Sequence, residues 1–257
     1  MNFSDSTSAT GELTVLYQDR QVVAIDKPAG LLVHRSRVDV RAWEFALQKL
    51  RDQLGQLVYP VHRLDRPTSG VLLFGLDSDS ARQLSEQFAQ RKVDKSYRAI
   101  VRGHTAEKGH WDEALREKHD RMTDAKAKNN KPPQPAVTEF QTVNRWQIPF
   151  STGKYPSSRY SEVIVRPLMG RKHQIRRHFN HFAHPVIGDT THGDRRHNRL
   201  FREELGIHRL LLVAQSLQFQ HPVTKKTILV TAPLGELFEK AIQQLDSFDE
   251  IIAEPGG

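Results

Sequence analysis

The chain has 257 residues, of which 37% are hydrophobic and none is cysteine, and it carries a formal net charge of +8. That size and apolar content suit one large domain or two small ones, and the missing thiols exclude disulfides, cysteine nucleophiles and thiolate metal sites together. No run approaches the ~18 apolar residues of a membrane-spanning helix and the polar start from Met1 to Gly11 lacks a signal-peptide core, so a soluble, cytoplasmic protein with a polyanionic partner is expected.

Thr14 to Tyr17 and Gln21 to Ile25 read as two strands joined at Gln18-Asp19-Arg20, and Lys27-Pro28-Ala29-Gly30 as the turn that follows. Val71 to Leu76 has strand composition. Asp77-Ser78-Asp79 then offers N-cap residues for a helix through about Lys92, with Ala81, Leu84 and Phe88 as its apolar face. Lys95 to Gly103 is strand-like. From Ala106 to Gln134 the composition turns charged, with Pro132-Pro133 near its end, and reads as a surface insertion before strand-like Ala136 to Val143. Ser161 to Val165 gives another strand, and Pro167 to Gly170 turns the chain into a basic helix. In that helix Ile175, Phe179 and Phe182 form the packing stripe, which leaves Gln174, Arg177 and His178 to face elsewhere. Arg209 to Phe219 and Lys226 to Thr231 read as a hairpin, and Glu236 to Leu245 as a closing helix. Residues 1–12 and 246–257 are read as polar tails around a domain spanning 13–245.

The segment richest in chemistry is His62-Arg63-Leu64-Asp65-Arg66-Pro67-Thr68-Ser69-Gly70. It sets one carboxylate between two arginines on a turn that feeds a strand, where a side chain can be aimed. Flanking guanidinium groups favour the ionised form, which suits a nucleophile better than a proton donor. A surface ion pair or a helix cap would use the same residues. Arg176, beside the apolar stripe of the basic helix, is a partly buried guanidinium in need of a carboxylate, and Asp65 is the candidate. Arg171, Lys172, Arg176 and Arg177, followed by Arg195, Arg196, Arg199, Arg202 and Arg209, read as a track for a phosphate backbone. His178, His181 and His184, with His173 upstream, raise the question of a metal, but no cysteine or acidic ligand stands at a metal-binding spacing, so no metal is expected.

Four blocks, Lys27 to His34, His62 to Gly70, Lys95 to Gly103 and Gly170 to Phe179, occur in the order seen in the pseudouridine synthases. The chain resembles the large-ribosomal-RNA and tRNA branch of that family from about Leu13 to about Leu245. The resemblance implies one α/β (α+β) catalytic domain with a long, mixed, mostly antiparallel sheet and helices and loops flanking a central cleft. It implies isomerisation of uridine to pseudouridine in RNA without a cofactor, with Asp65, Tyr97 and Arg176 as catalytic residues and Tyr97 packed on the base. His62, Arg63, Lys95, Arg171, Lys172, His173 and Gln174 would bind substrate, Arg63 filling the gap left by the flipped base. Val61 to Gly70, Gly170 to Gln174 and Gly188 to Asp194 together are most similar to bacterial members that modify uridine 65 in the T-stem of certain tRNAs. A monomer is expected, with no room ahead of the core for the small S4-type RNA-binding domain that many relatives carry.

Two departures from the family pattern stand out: Met169-Gly170-Arg171 in place of Thr-Gly-Arg, and Leu211-Leu212-Val213-Ala214 in place of Leu-Leu-His-Ala. Neither falls on Asp65, Tyr97 or Arg176. Ribosomal RNA is the alternative substrate. A non-catalytic RNA-binding protein on the same fold would be expected to lose Asp65 or Tyr97, and both are present. A glycoside hydrolase needs a second carboxylate about 5–9.5 Å away, whereas the blocks around Asp65, Tyr97 and Arg176 supply one acidic residue.

Overall fold

The computed structural model describes residues 11–34, 44–116 and 132–253. Among these residues ten strands form one sheet. They are β1 (Thr14–Gln18), β2 (Val22–Lys27), β3 (Tyr59–Pro60), β4 (Ser69–Gly75), β5 (Asp94–Arg102), β6 (Lys108–Asp112), β7 (Val137–Ile148), β8 (Ser158–Pro167), β9 (Leu212–Gln220) and β10 (Thr227–Thr231). Five helices accompany them: α1 (Ala46–Leu54), α2 (Ser78–Ala89), α3 (Gln174–His181), α4 (Arg195–Glu203) and α5 (Glu236–Ala253). The main strand order is β1-β2-β4-β9-β5-β8-β7-β6, with β10 beside β9 and β3 beside β4. Among the described residues no helix is long and apolar enough to cross a membrane.

The two halves of the sheet meet at β4 and β9, the one parallel pairing between named strands, where Ser69 lies opposite Val213 and Gly70 opposite Ala214. Both faces are covered there, which is why β2 and β4 are buried along their whole length and read as continuous apolar runs. Gly70 sits at φ 107°, and a Cβ on it would lie 2.3 Å from the Ala214 carbonyl oxygen. The crossing therefore requires glycine.

Local chemistry sets the helix ends. Asp77 caps α2 by accepting from the Ser80 backbone N–H at 2.8 Å and the Ser80 hydroxyl at 2.7 Å. Ala81 and Leu84 are buried beneath it, and Phe88 packs half-buried on the same cluster. On one face of the sheet α3 lays Ile175 and Phe179 against Ala99, Val101, Val163 and Val165. On the other, Tyr160, Trp146 and Ile100 pack with Phe201 of α4 and Phe238 and Leu245 of α5.

Three features differ from the sequence expectation. The charged stretch 106–134 contributes β6, which pairs with β7 from Lys108↔Gln141 to Asp112↔Val137; its Trp111 ring stacks on Phe182 at 4.5 Å and so receives the last residue of the α3 stripe. The tip of that stretch, 117–131, lies outside the described residues. Gln174 and His178, expected to face away from the packing, are buried. Thr138 on β7 supplies the reason: its hydroxyl bonds Gln174 Nε2 at 3.1 Å and His178 Nδ1 at 2.9 Å, so polar side chains are satisfied inside the helix–sheet contact. Finally, α5 continues past Leu245 to Ala253, drawing Asp246 within 2.6 Å of the Trp146 indole N–H.

Candidate active site

Asp65 stands on the turn that enters β4, closed by the Thr68 N–H donating to the Asp65 carbonyl at 3.1 Å. A second loop braces this turn. Gly30 N–H donates to the Arg66 carbonyl at 2.8 Å, and Arg66 Nε donates to the Gly30 carbonyl at 2.9 Å. Beneath both loops lies Lys27, fully buried at the end of β2. Its ammonium donates to the carbonyls of Pro28 (2.8 Å), Leu31 (2.9 Å) and Arg66 (3.2 Å). Burial pulls this lysine down to about 7, against the opposing charge of Asp65. Three bonds for three protons make Lys27 a strut between the first and second sequence blocks.

The guanidinium that meets Asp65 is that of Arg176, 3% exposed on α3. Arg176 Nη1 donates to Asp65 Oδ2 at 3.0 Å, while Nε and Nη2 form a two-pronged pair with Asp189 at 2.7 and 2.8 Å. Asp189 also accepts the backbone N–H groups of Thr191 and His192, both at 2.9 Å. Burial alone would raise the Asp189 carboxyl, but the bonds from Arg176 outweigh it and hold the group below the usual carboxylate range. Asp65, a quarter exposed, thus presents one carboxylate to the cleft on a guanidinium anchored from behind. His173, left-handed at φ 56° before α3, brings Nε2 to 3.9 Å from Asp65 Oδ1 and shares its Nδ1 with His192 Nε2 at 2.9 Å. Burial lowers the His173 pKa despite the neighbouring Asp65.

Tyr97 lies on β5, opposite Val165 of β8 and Ala214 of β9. The β5–β9 register shifts between Ser96 and Tyr97, where the extra residue, Gln215, lies on β9, so β5 keeps its alternation and Tyr97 faces the cleft. Burial, followed by the charge of Asp65, raises the Tyr97 phenol well above its ordinary value, so it remains protonated at neutral pH. A neutral ring beside a carboxylate suits packing on a base.

A cleft of about 680 Å³ collects Asp65, Tyr97 and Arg176 together with His62, Arg63, Lys95, Arg171, His173 and Gln174. Of the residues proposed from sequence, only Lys172 is left out; it is exposed one residue before His173. The side chains in the cleft are not equally available. Gln174 turns its amide inward, donating to the Val137 carbonyl at 2.8 Å and accepting the Arg171 N–H at 3.1 Å. His62 stacks on Phe88 with centroids 4.6 Å apart and accepts the Leu73 N–H on Nε2 at 3.0 Å. Burial holds His62 down to about 3. Two further histidines are likewise engaged: His178 on α3 donates Nε2 to the Glu113 carbonyl at 3.0 Å, and His184, just beyond the helix, donates Nδ1 to the Arg102 carbonyl at 2.9 Å.

Two members of the site escaped the sequence reading. Asp189 lies in Gly188 to Asp194, a segment noted there only for its similarity to tRNA-modifying members. A buried arginine with three usable nitrogens and a single partly exposed partner was the signal that a second carboxylate was needed. Lys27 was read as the start of a turn and of the first family block, with no role of its own, and an ammonium beside three loop carbonyls leaves no periodic trace.

Comparison with known proteins agrees with this architecture. A family model described as RNA pseudouridylate synthase matches residues 21–181, which include Asp65, Tyr97 and Arg176. Proteins named tRNA pseudouridine synthase C are similar over most of the chain. The one from Vibrio parahaemolyticus is 46% identical, covering 94% of this chain and 98% of its own, and that from Haemophilus ducreyi is 50% identical over 91% and 96%. Human RNA Pseudouridylate Synthase Domain Containing 1 has the same fold, with a TM-score of 0.66 at 23% identity over 94% of this chain and 98% of its own. Human RNA Pseudouridylate Synthase Domain Containing 4 gives 0.66 at 26% identity, over 91% and 93%. The chain belongs to the RNA pseudouridylate synthase family.

Proposed function

We propose that this protein converts a uridine of tRNA to pseudouridine, with Asp65 as the nucleophile, Tyr97 packed on the base and Arg176 holding the carboxylate. The observation that carries the proposal is the Asp65–Arg176 contact at 3.0 Å inside a cleft that also holds Tyr97 and an excess of cationic side chains. The reaction is an isomerisation. The N-glycosidic bond from uracil to ribose C1′ breaks, the freed base turns, and a carbon–carbon bond to C1′ forms, so neither oxidant nor metal is needed for balance. Asp65 attacks at C1′ or on the pyrimidine ring, and both are compatible with a carboxylate aimed into the cleft.

A base within a folded RNA must first leave its stack, at a cost of a few kcal/mol. Stacking on Tyr97, worth ~1–3 kcal/mol, offsets part of that, and Arg63 fills the vacated space. The catalytic domain, expected over 13–245 and extended by the rest of α5, acts as a cytoplasmic monomer with RNA as its macromolecular partner. Relatives named for tRNA over nine-tenths of the chain favour tRNA over ribosomal RNA, and the motif combination favours uridine 65 of the T-stem. Carbodiimide mapping of unmodified tRNA and ribosomal RNA transcripts, with EDTA present, tests this. One stop in the T-stem is expected, whereas a stop only in ribosomal RNA would keep the chemistry and overturn the substrate.

A further inference from the structure

One wall of the cleft is cationic, and among the described residues no acidic side chain forms an ion pair with it. Phe88 and Ala89 at the end of α2, then Arg91, lead to Lys95 on β5, and all four line the same cleft as Asp65. Arg91 adopts a left-handed backbone, φ 60°, unusual for a residue with a side chain. Its guanidinium has no hydrogen-bond or ion-pair partner among the described residues. The Lys95 ammonium has a single acceptor there, the Met169 carbonyl at 3.2 Å, although an ammonium carries three protons. Burial, and next the like charge of Arg91, lowers Lys95 to about 8, with Asp94 only partly opposing them. Of the acidic side chains among the described residues, only Asp65 lines the cleft, and it is engaged by Arg176 and approached by His173.

We propose that Lys95 and Arg91 clamp a backbone phosphate next to the target nucleotide, beside the stacked Phe88–His62 pair. The inference rests on RNA being the substrate. Position supplies the rest of the argument. Lys95 and Tyr97 are two residues apart on one strand, so their side chains share a face of the sheet, about 7 Å apart along β5. That spacing is on the scale of one nucleotide: with Tyr97 on the base and Asp65 near the sugar, a flanking phosphate falls within reach of the ammonium. An anionic oxygen would satisfy the unused protons of Lys95 and remove its repulsion with Arg91. Such a contact positions the RNA and reads no sequence.

The test uses the full chain and RNA in which flanking phosphates are replaced one at a time by neutral methylphosphonates. Binding and single-turnover pseudouridine formation are followed in wild type, Lys95→Gln and Arg91→Gln, with Lys95→Arg as the charge-keeping control. Each Gln variant is expected to bind ordinary RNA about tenfold more weakly with the saturated rate little changed, and Lys95→Arg to recover much of the loss. Wild type should show the same loss at one methylphosphonate position, and the Gln variants no further loss there. Additive losses at every position, or a fall in saturated rate with affinity unchanged, would overturn the clamp. If wild type made no pseudouridine in these RNAs, the parent reading would fail, and the binding comparison would still decide whether the two side chains grip a phosphate.

Discussion

Arg176 faces two carboxylates unequally: Asp189 takes its Nε and Nη2 at 2.7 and 2.8 Å, and Asp65 takes only Nη1 at 3.0 Å. Asp189 fixes where the guanidinium sits, and the guanidinium fixes where Asp65 points. Removing one partner of a buried pair costs about 3–5 kcal/mol, because a charge is left uncompensated. Asp189→Ala is therefore expected to lower stability by about that amount, and Asp65→Ala by distinctly less, since Asp65 is partly solvated. Urea unfolding of both variants checks the order, and equal losses would show that Asp189 is not the anchor.

Lys27→Met keeps most of the buried stem and removes the bonds to Pro28, Leu31 and Arg66. Stranded carbonyls cost roughly 1–3 kcal/mol each when buried, and the loops around Asp65 lose their strut. The expected result is a folded, destabilised protein whose kcat falls while KM for RNA changes little. An unchanged kcat in steady-state assays would contradict the positioning role.

His62 must be neutral to accept the Leu73 N–H, and its folded pKa of about 3 lies below the ordinary 6.5. Between those values the unfolded chain binds the proton and the folded chain does not, so stability falls as pH drops through that window. The slope from this residue is at most about 1.4 kcal/mol per pH unit. His62→Gln should be less stable than wild type at pH 7 and show a shallower loss toward pH 4. Parallel pH profiles in urea titrations would refute this.

Gly70→Ala places a methyl group against the Ala214 carbonyl at the parallel join of β4 and β9. Backbone on both sides leaves little room to relax, and the residue already has positive φ. A loss of at least ~2 kcal/mol is expected, read as a lower urea midpoint with an unchanged slope.

What could be read in advance follows from physical range. Asp65 and Arg176 lie 111 residues apart, but each stood in its own dense motif, and charge complementarity joined them. β2 and β4 were legible as apolar runs. Gln174 and His178 were misjudged because helical periodicity reports where apolar side chains go, whereas these two are buried by polar bonds to Thr138. β6, Lys-Gly-His-Trp-Asp, hid in a charged stretch because an edge strand with a solvated face needs little apolar composition. Asp189 carried its meaning only through Arg176.

The most direct test compares wild type with Asp65→Asn for pseudouridine formation in unmodified tRNA, alongside RNA binding and thermal unfolding of both proteins. The amide keeps the shape of the side chain and removes its charge and nucleophilicity. The account predicts a folded Asp65→Asn protein that binds RNA and forms no pseudouridine at any time point. Pseudouridine formation by Asp65→Asn at the wild-type rate would contradict the assignment of Asp65 and, with it, the mechanism built on the Asp65–Arg176–Asp189 chain.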